Sequence, residues 1–169
     1  MIVVSDTNIL SSLAAGDSLP ALLHVFRRST FCIPPSVQDE LQAGVAKGRT
    51  YLAPIFRAIA TQQIVVVALS ADEESALQQH PQRLNLGERQ AIALAQTRNA
   101  VVLSNDRRAL RHCQQQNIRV VNLIGILRLL WQRQVMSQNE VQTVLTKMEQ
   151  VENLVLTPAQ RTAIFAPYR

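Results

Sequence analysis

The sequence predicts an α/β protein with a central, mostly parallel sheet between helical layers and further helices at its C-terminal end. Short apolar runs rich in β-branched residues recur at Ile2-Val3-Val4, Phe31-Cys32-Ile33, Ile64-Val65-Val66-Val67-Ala68-Leu69, Val101-Val102-Leu103 and Val120-Val121. Runs without polar alternation mark strands buried on both faces. Segments of helical length separate them, so strand follows strand through a helix. No proline- or glycine-rich linker and no internal repeat interrupts the chain. Residues 1–169 therefore read as one domain, with a core over about 1–135 and a helical C-terminal extension over about 136–169.

Ile2-Val3-Val4 ends in the polar cluster Ser5-Asp6-Thr7-Asn8, a strand running into a turn. Leu19, Leu22, Leu23 and Phe26 then repeat at helical spacing. Phe31-Cys32-Ile33 is stopped by Pro34-Pro35. Ser36 with Asp39 forms S-x-x-D, close to a capping box, and predicts a helix carrying Val37, Glu40 and Leu41. Gly44, Lys47, Gly48 and Arg49 predict a loop, and 51–60 a further helix. After the third strand, over 64–69, Ser70 and Glu73 make a capping box, and Asp72-Glu73-Glu74 reads as a solvated helix face. Leu86-Gly87-Glu88 opens a helix that runs to 98. Val101-Val102-Leu103 ends in Ser104-Asn105-Asp106, and a basic helix over 107–116 follows. Val120-Val121 with Leu123 is the last strand. Helices follow over 124–133 and 137–152, the second opened by Ser137 and Glu140, and Thr157-Pro158-Ala159-Gln160 opens another with proline at its first position.

Composition narrows the function. The chain is 47% hydrophobic and 17% charged, which excludes a disordered polymer. It has no run of 18 apolar residues, so no membrane span is expected. Its first residues lack a basic segment and reach a carboxylate at Asp6, which argues against a secretory signal. Cys32 and Cys113 are far apart and lack C-x-x-C spacing, as in a reduced, cytoplasmic protein. His112 and Cys113, adjacent on one helix, make a poor chelate. His24, His80 and His112 show no spacing that suggests catalysis, and Trp131 among leucines reads as core or dimer face. The 17 cations against 12 acids leave +5, and only Lys47 and Lys147 among the cations are not arginine. Arginine excess leans toward an anionic partner.

In open parallel sheets, ligands bind outside the carboxyl ends of the strands. Asp6 and Asn8 follow the first strand there, and Ser104 and Asp106 follow the fourth. Glu40 lies one helical turn beyond the second strand, and Glu88 in the first turn of the helix leading to the fourth. If the first and fourth strands are neighbours, Asp6 and Asp106 converge. Clustered carboxylates repel, and some are driven to bind protons. A divalent cation removes that penalty, and carboxylate oxygens suit Mg²⁺ or Mn²⁺. Such ions bridge phosphate oxygens and turn bound water into a nucleophile.

Three stretches carry a resemblance: Val3-Val4-Ser5-Asp6-Thr7-Asn8, Pro34-Pro35-Ser36-Val37-Gln38-Asp39-Glu40-Leu41, and Leu86-Gly87-Glu88-Arg89-Gln90 running on to Ser104-Asn105-Asp106-Arg107-Arg108. In order and spacing they resemble the PIN-domain proteins, the fold of many ribonuclease toxins of the VapC type. The stretch from Gly125 to Pro158 also resembles the C-terminal helices of a PIN subfamily of predicted nucleic-acid-binding proteins. The resemblance implies a PIN-like three-layer α/β/α fold and a metal-dependent endoribonuclease, the toxin of a type II toxin–antitoxin pair, using Mg²⁺ or Mn²⁺. It implies that Asp6, Glu88 and Asp106 hold the ion, that Glu40 shares a second ion or orients water, and that Asn8 and Ser104 orient these carboxylates. Arg89, Arg107, Arg108 and Arg111 would meet RNA phosphates, or else balance the acidic centre. The implied partners are RNA, a cognate antitoxin and a second copy of the chain in a homodimer, with no membrane.

Two rivals stand beside this reading. One is a non-catalytic PIN-like module that binds nucleic acid or protein. The other is a phosphohydrolase of the haloacid-dehalogenase kind, which wants a second Asp two residues after the first, where this chain has Asn8.

Overall fold

The computed structural model describes residues 1–167, and positions 168 and 169 of the expected extension lie outside the described residues. The strands are β1 (Ile2–Ser5), β2 (Thr30–Ile33), β3 (Val65–Val66), β4 (Val101–Leu103) and β5 (Val120–Val121). They pair in the order β3-β2-β1-β4-β5, every pair parallel. The helices are α1 (Thr7–Ala15), α2 (Leu19–Val25), α3 (Pro35–Ala46), α4 (Ala53–Ala60), α5 (Ala71–Leu77), α6 (Leu86–Arg98), α7 (Arg107–Gln115), α8 (Leu123–Gln132), α9 (Gln138–Glu152) and α10 (Pro158–Phe165).

Side chains alternate across the pleat, so each strand feeds two cores. Val3, Phe31, Ile33, Val101 and Leu103 join the larger core with α1 to α4 and α8 to α10. Val4, Cys32 and Val102 join the smaller core with α6 and α7. The result is the three-layer α/β/α arrangement that the apolar runs predict. Val141, Val144, Leu145 and Met148 of α9 are fully buried or nearly so, and they share the core of α1. No helix among the described residues is long and apolar enough to cross a membrane.

Several local expectations are corrected. Residues 7–15 form α1, which the sequence pattern did not single out. Ser36 does not cap a helix: α3 begins at Pro35, with Pro34 as its cap residue, and the Ser36 hydroxyl donates to Gln90 of α6 instead. A proline at the first helical position presets the backbone and moves the start forward. Gly44 is inside α3, where a Cβ would lie 2.8 Å from the Leu52 side chain, and the turn comes at Gly48 with φ +87°. The third strand is two residues long because its partner β2 gives way to Pro34. Val67 donates a last bond to the Ile33 carbonyl at 2.9 Å. Leu123 starts α8 and does not belong to β5. Glu73 is buried, not solvated, because Arg98 of α6 reaches it.

Candidate functional site

β1 and β4 are neighbours, with Ser5 opposite Leu103, and the Asp6 amide donates to the Leu103 carbonyl at 3.0 Å. The turns after the two strands therefore lie side by side. Both hold an aspartate that caps the next helix. Asp6 Oδ1 accepts from the Ile9 amide at 2.8 Å, and Asp106 Oδ1 accepts from the amides of Arg108 at 2.7 Å and Ala109 at 2.9 Å. Capping fixes each carboxylate at the positive end of a helix. The Ser104 hydroxyl accepts from the Asp106 amide at 3.3 Å and so shapes the turn between β4 and α7.

Glu88 arrives from α6. Asn85 and Glu88 form a reciprocal capping box, with the Glu88 amide 2.7 Å from Asn85 Oδ1 and the Asn85 amide 3.0 Å from Glu88 Oε2. Glu40, on α3, accepts the hydroxyl proton of Thr7. Gly87 lets these segments meet: a Cβ there would lie 3.1 Å from Val37 Cγ2 and 3.3 Å from Glu40 Oε1.

The four sequence-predicted acids thus gather at one end of the sheet, and their charges act on one another. Burial pushes the Glu88 carboxyl up to about 7, against the Asn85 hydrogen bond, and Asp106, Asp6 and Glu40 push it further. Burial likewise pushes Asp6 up to about 6, against hydrogen bonding from Ile9, with Asp106 adding to the rise. Asp6 is 3% exposed and Glu88 7%, whereas Glu40 and Asp106 are half-buried. Among the described residues the second oxygen of Asp6 is buried without a hydrogen-bond partner. Ser104 and the Asn105 amide stand close enough to lower the Asp6 pKa, but neither completes a bond to that oxygen.

Among the described residues no three His, Cys, Asp or Glu side chains lie close enough together to hold a metal ion as a group. The donor set nevertheless fits Mg²⁺ or Mn²⁺, because such an ion keeps several waters and takes only one or two carboxylates directly. The buried Asp6 oxygen and the raised Glu88 carboxyl are groups whose charge a divalent cation would stabilise. Asp6 and a second carboxylate, Asp106 or Glu88, would be the direct donors to such an ion.

Asp106 opens onto a groove of about 950 Å³ lined by Asn8, Arg49, Tyr51, Arg107, Arg108 and Glu152, among others. Asn8 is exposed there and makes no hydrogen bond to any of the acids among the described residues. Glu152 closes the far end. It accepts from the hydroxyls of Ser11, Ser12 (2.7 Å) and Tyr51 (3.0 Å). Arg89 is half-buried near His80, away from this groove's lining, and Arg111 with Arg108 lines a smaller pocket. A more apolar cleft of about 760 Å³ between α2 and α4 contains none of the acids. Sequence reasoning missed Thr7, Arg49, Tyr51 and Glu152. Thr7 lay inside a motif already in view, and Asn85 could have been found from its N-x-x-E spacing to Glu88.

Fold and site together define an α/β protein with a group of carboxylates at the carboxyl end of a parallel sheet. Residues 2–166 match the PIN domain family (DUF3368), and the chain belongs to that family. Among solved structures, the chain is similar to VapBC2 from Rickettsia felis, determined bound to a DNA fragment from its promoter. The TM-score is 0.56 at 18% identity, over 72% of this chain and 98% of that one. That likeness establishes a shared fold. No curated protein sequence matched the chain.

Proposed function

We propose that this PIN-domain protein is a metal-dependent endoribonuclease and the toxin of a type II toxin–antitoxin pair. The observation that carries the reading is the nearness of Asp6, Glu40 and Asp106 to Glu88, whose carboxyl their charges push up, beside an Asp6 oxygen that has no hydrogen bond among the described residues. A bound Mg²⁺ or Mn²⁺ would supply a Lewis acid for the phosphate and an activated water. The chain's own residues do the rest. The Asp6 and Asp106 caps fix two carboxylates on rigid helix ends. Thr7 steers Glu40, which is positioned to orient the attacking water. Arg107 and Arg108 follow Asp106 in the first turn of α7, line the same groove and are placed to receive backbone phosphates.

The partners that go with this reading are RNA, a cognate antitoxin and a second copy of the chain, in the cytoplasm. The solved neighbour is a VapBC2 assembly, which supports an antitoxin here. A short adjacent gene encoding a DNA-binding N-terminus would favour a toxin over a housekeeping nuclease. The catalytic test is cleavage of single-stranded RNA in Mg²⁺ with an EDTA control. Wild type should cleave only with metal, while Asp6→Asn and Asp106→Asn fold but do not cleave. Metal-dependent cleavage retained by both variants would overturn the site. A wild type that binds RNA and never cleaves it would identify a binding module.

A further inference from the structure

Arg83, Arg108 and Arg111, with Gln115, surround a pocket of about 190 Å³ beside α7, separate from the groove but sharing Arg108 with it. The ion pairs among the described residues involve Arg98, Lys147 and Arg161, so none of these three guanidiniums has a carboxylate partner there. Arg108 Nη1 donates to the Arg83 carbonyl at 3.4 Å, which ties the segment before α6 to the first turn of α7. Arg108, Arg111 and Gln115 follow at i, i+3 and i+7, so they share one helix face. Three like charges around one pocket repel, and an anion reverses that balance. At about 30 Å³ per water, the pocket holds roughly six waters' worth of space, enough for a phosphate group with part of its hydration.

Arg108 connects this pocket to the acids. Its amide donates to Asp106, and the residue lines both the pocket and the groove beside Asp106. A strand seated beside Asp106 lies against the first turn of α7, where Arg108 belongs to both surfaces. We propose that Arg83, Arg108 and Arg111 form a phosphate site that holds the backbone of an RNA strand beyond the scissile position. Guanidinium forks suit phosphate oxygens in two-bond geometry. The inference rests on the ribonuclease reading and names substrate contacts for it.

The test is RNA affinity in EDTA, where no cleavage intervenes, for wild type and the double variant Arg83→Gln/Arg111→Gln. Both side chains are exposed, so unchanged circular dichroism is expected. Arg111→Gln alone serves if the double variant misfolds. An oligoribonucleotide of about twelve nucleotides should bind the double variant about tenfold more weakly, with a salt slope reduced by about 0.7 per lost phosphate contact. One of about four nucleotides, too short to reach the pocket, should bind both proteins alike. Equal affinity and slope for the long strand would overturn the proposal. So would a loss confined to inorganic phosphate binding, which would mark a free-anion site, or an equal loss for duplex DNA, which would mark an unspecific basic patch. If wild type shows the length effect but never cleaves in Mg²⁺, the nuclease reading fails while the phosphate site stands.

Discussion

Thr7 donates its hydroxyl proton to Glu40, so the first residue of α1 holds a carboxylate that belongs to α3. The preceding residue, Asp6, caps the same helix and is itself buried. One turn therefore presents one acid and steers another. Thr7→Val keeps the shape and removes the donor. Partners that orient metal-site carboxylates typically matter 10- to 100-fold. We expect Thr7→Val to fold normally and lose cleavage by about that factor, with Thr7→Ser restoring it. Rates measured across a Mg²⁺ titration decide this, and a wild-type rate in Thr7→Val would remove Thr7 from the site.

What was legible in the sequence and what was not divides along a physical line. Val3-Val4 and Val101-Val102 read as buried strands because both faces of the sheet are covered, and the polar residues after them announced Asp6 and Asp106. Contacts set by a distant side chain left no local trace. Glu152 meets Ser11 across 141 positions, and His80 bonds His112 across 32, nitrogen to nitrogen at 3.0 Å. Ser36 misled because S-x-x-D mimics a cap, while Pro35 had already set the helix start and Gln90 takes the hydroxyl. Asp72 and Glu74 are exposed as expected, but Glu73 between them is buried because Arg98, which nothing nearby in the sequence announces, reaches it.

Gly87 stands where α6 meets α3, and its missing side chain is the space that Val37 and Glu40 occupy. A methyl group there at 3.3 Å from Glu40 Oε1 displaces that carboxylate by a few tenths of an ångström. Gly87→Ala should retain the fold, because helix propensity favours alanine over glycine by about 1 kcal/mol, yet lose cleavage. Melting curves and cleavage rates on the same preparation check this. Stability and cleavage both at wild-type level would show that the Glu40 position is unimportant.

Asp6 and Glu88 have pKa values raised to about 6 and about 7, from 3.8 and 4.5. The folded state therefore holds protons that the unfolded chain has released. Stability from these groups is fully present below their unfolded values and is lost as pH rises through about 6 to 7. Between about pH 5 and about pH 8 their contribution makes the metal-free protein less stable. Mg²⁺ or Mn²⁺ should reverse this, with a larger rise in Tm at the higher pH because protons no longer compete. At 100 times Kd the gain is about 2.7 kcal/mol. The same rise in Asp6→Asn would place the ion elsewhere.

Glu73 works in the opposite direction. Arg98 contacts both its oxygens, at 2.6 and 2.9 Å, and the Ser70 amide and Thr97 hydroxyl add bonds at 2.8 and 2.9 Å. The Arg98 hydrogen bonds, against burial, hold the carboxyl down at about 2. Its contribution is present above 4.5, the ordinary value, and is lost as pH falls through about 2. Glu73→Gln keeps the shape without the charge and should cost about 2–3 kcal/mol near neutral pH. The difference from wild type should shrink below about pH 4 in urea titrations. A constant difference across that range would show that charge is not the source.

Gly16 joins the C-terminal extension to the core. It ends α1 with φ −85° and ψ 3°, which any residue adopts, so its role is steric. A Cβ would lie 2.8 Å from Val144 Cγ1 and 3.0 Å from Met148 Cε, both on α9. The same helix ends at Glu152, whose bonds to Ser11 and Ser12 fix it along α1 and wall the groove beside Asp106. Overpacking of this kind costs about 1–3 kcal/mol, so Gly16→Ala should destabilise by that amount. Val144→Ala alone should cost about 2 kcal/mol for its lost methyl groups. Combined, the new methyl fills space the valine vacates, and the double variant should be more stable than the sum predicts by at least about 0.5 kcal/mol. Urea denaturation of the four proteins closes the cycle. Strict additivity would mean that α9 moves away freely, and the Glu152 bonds would then not hold it.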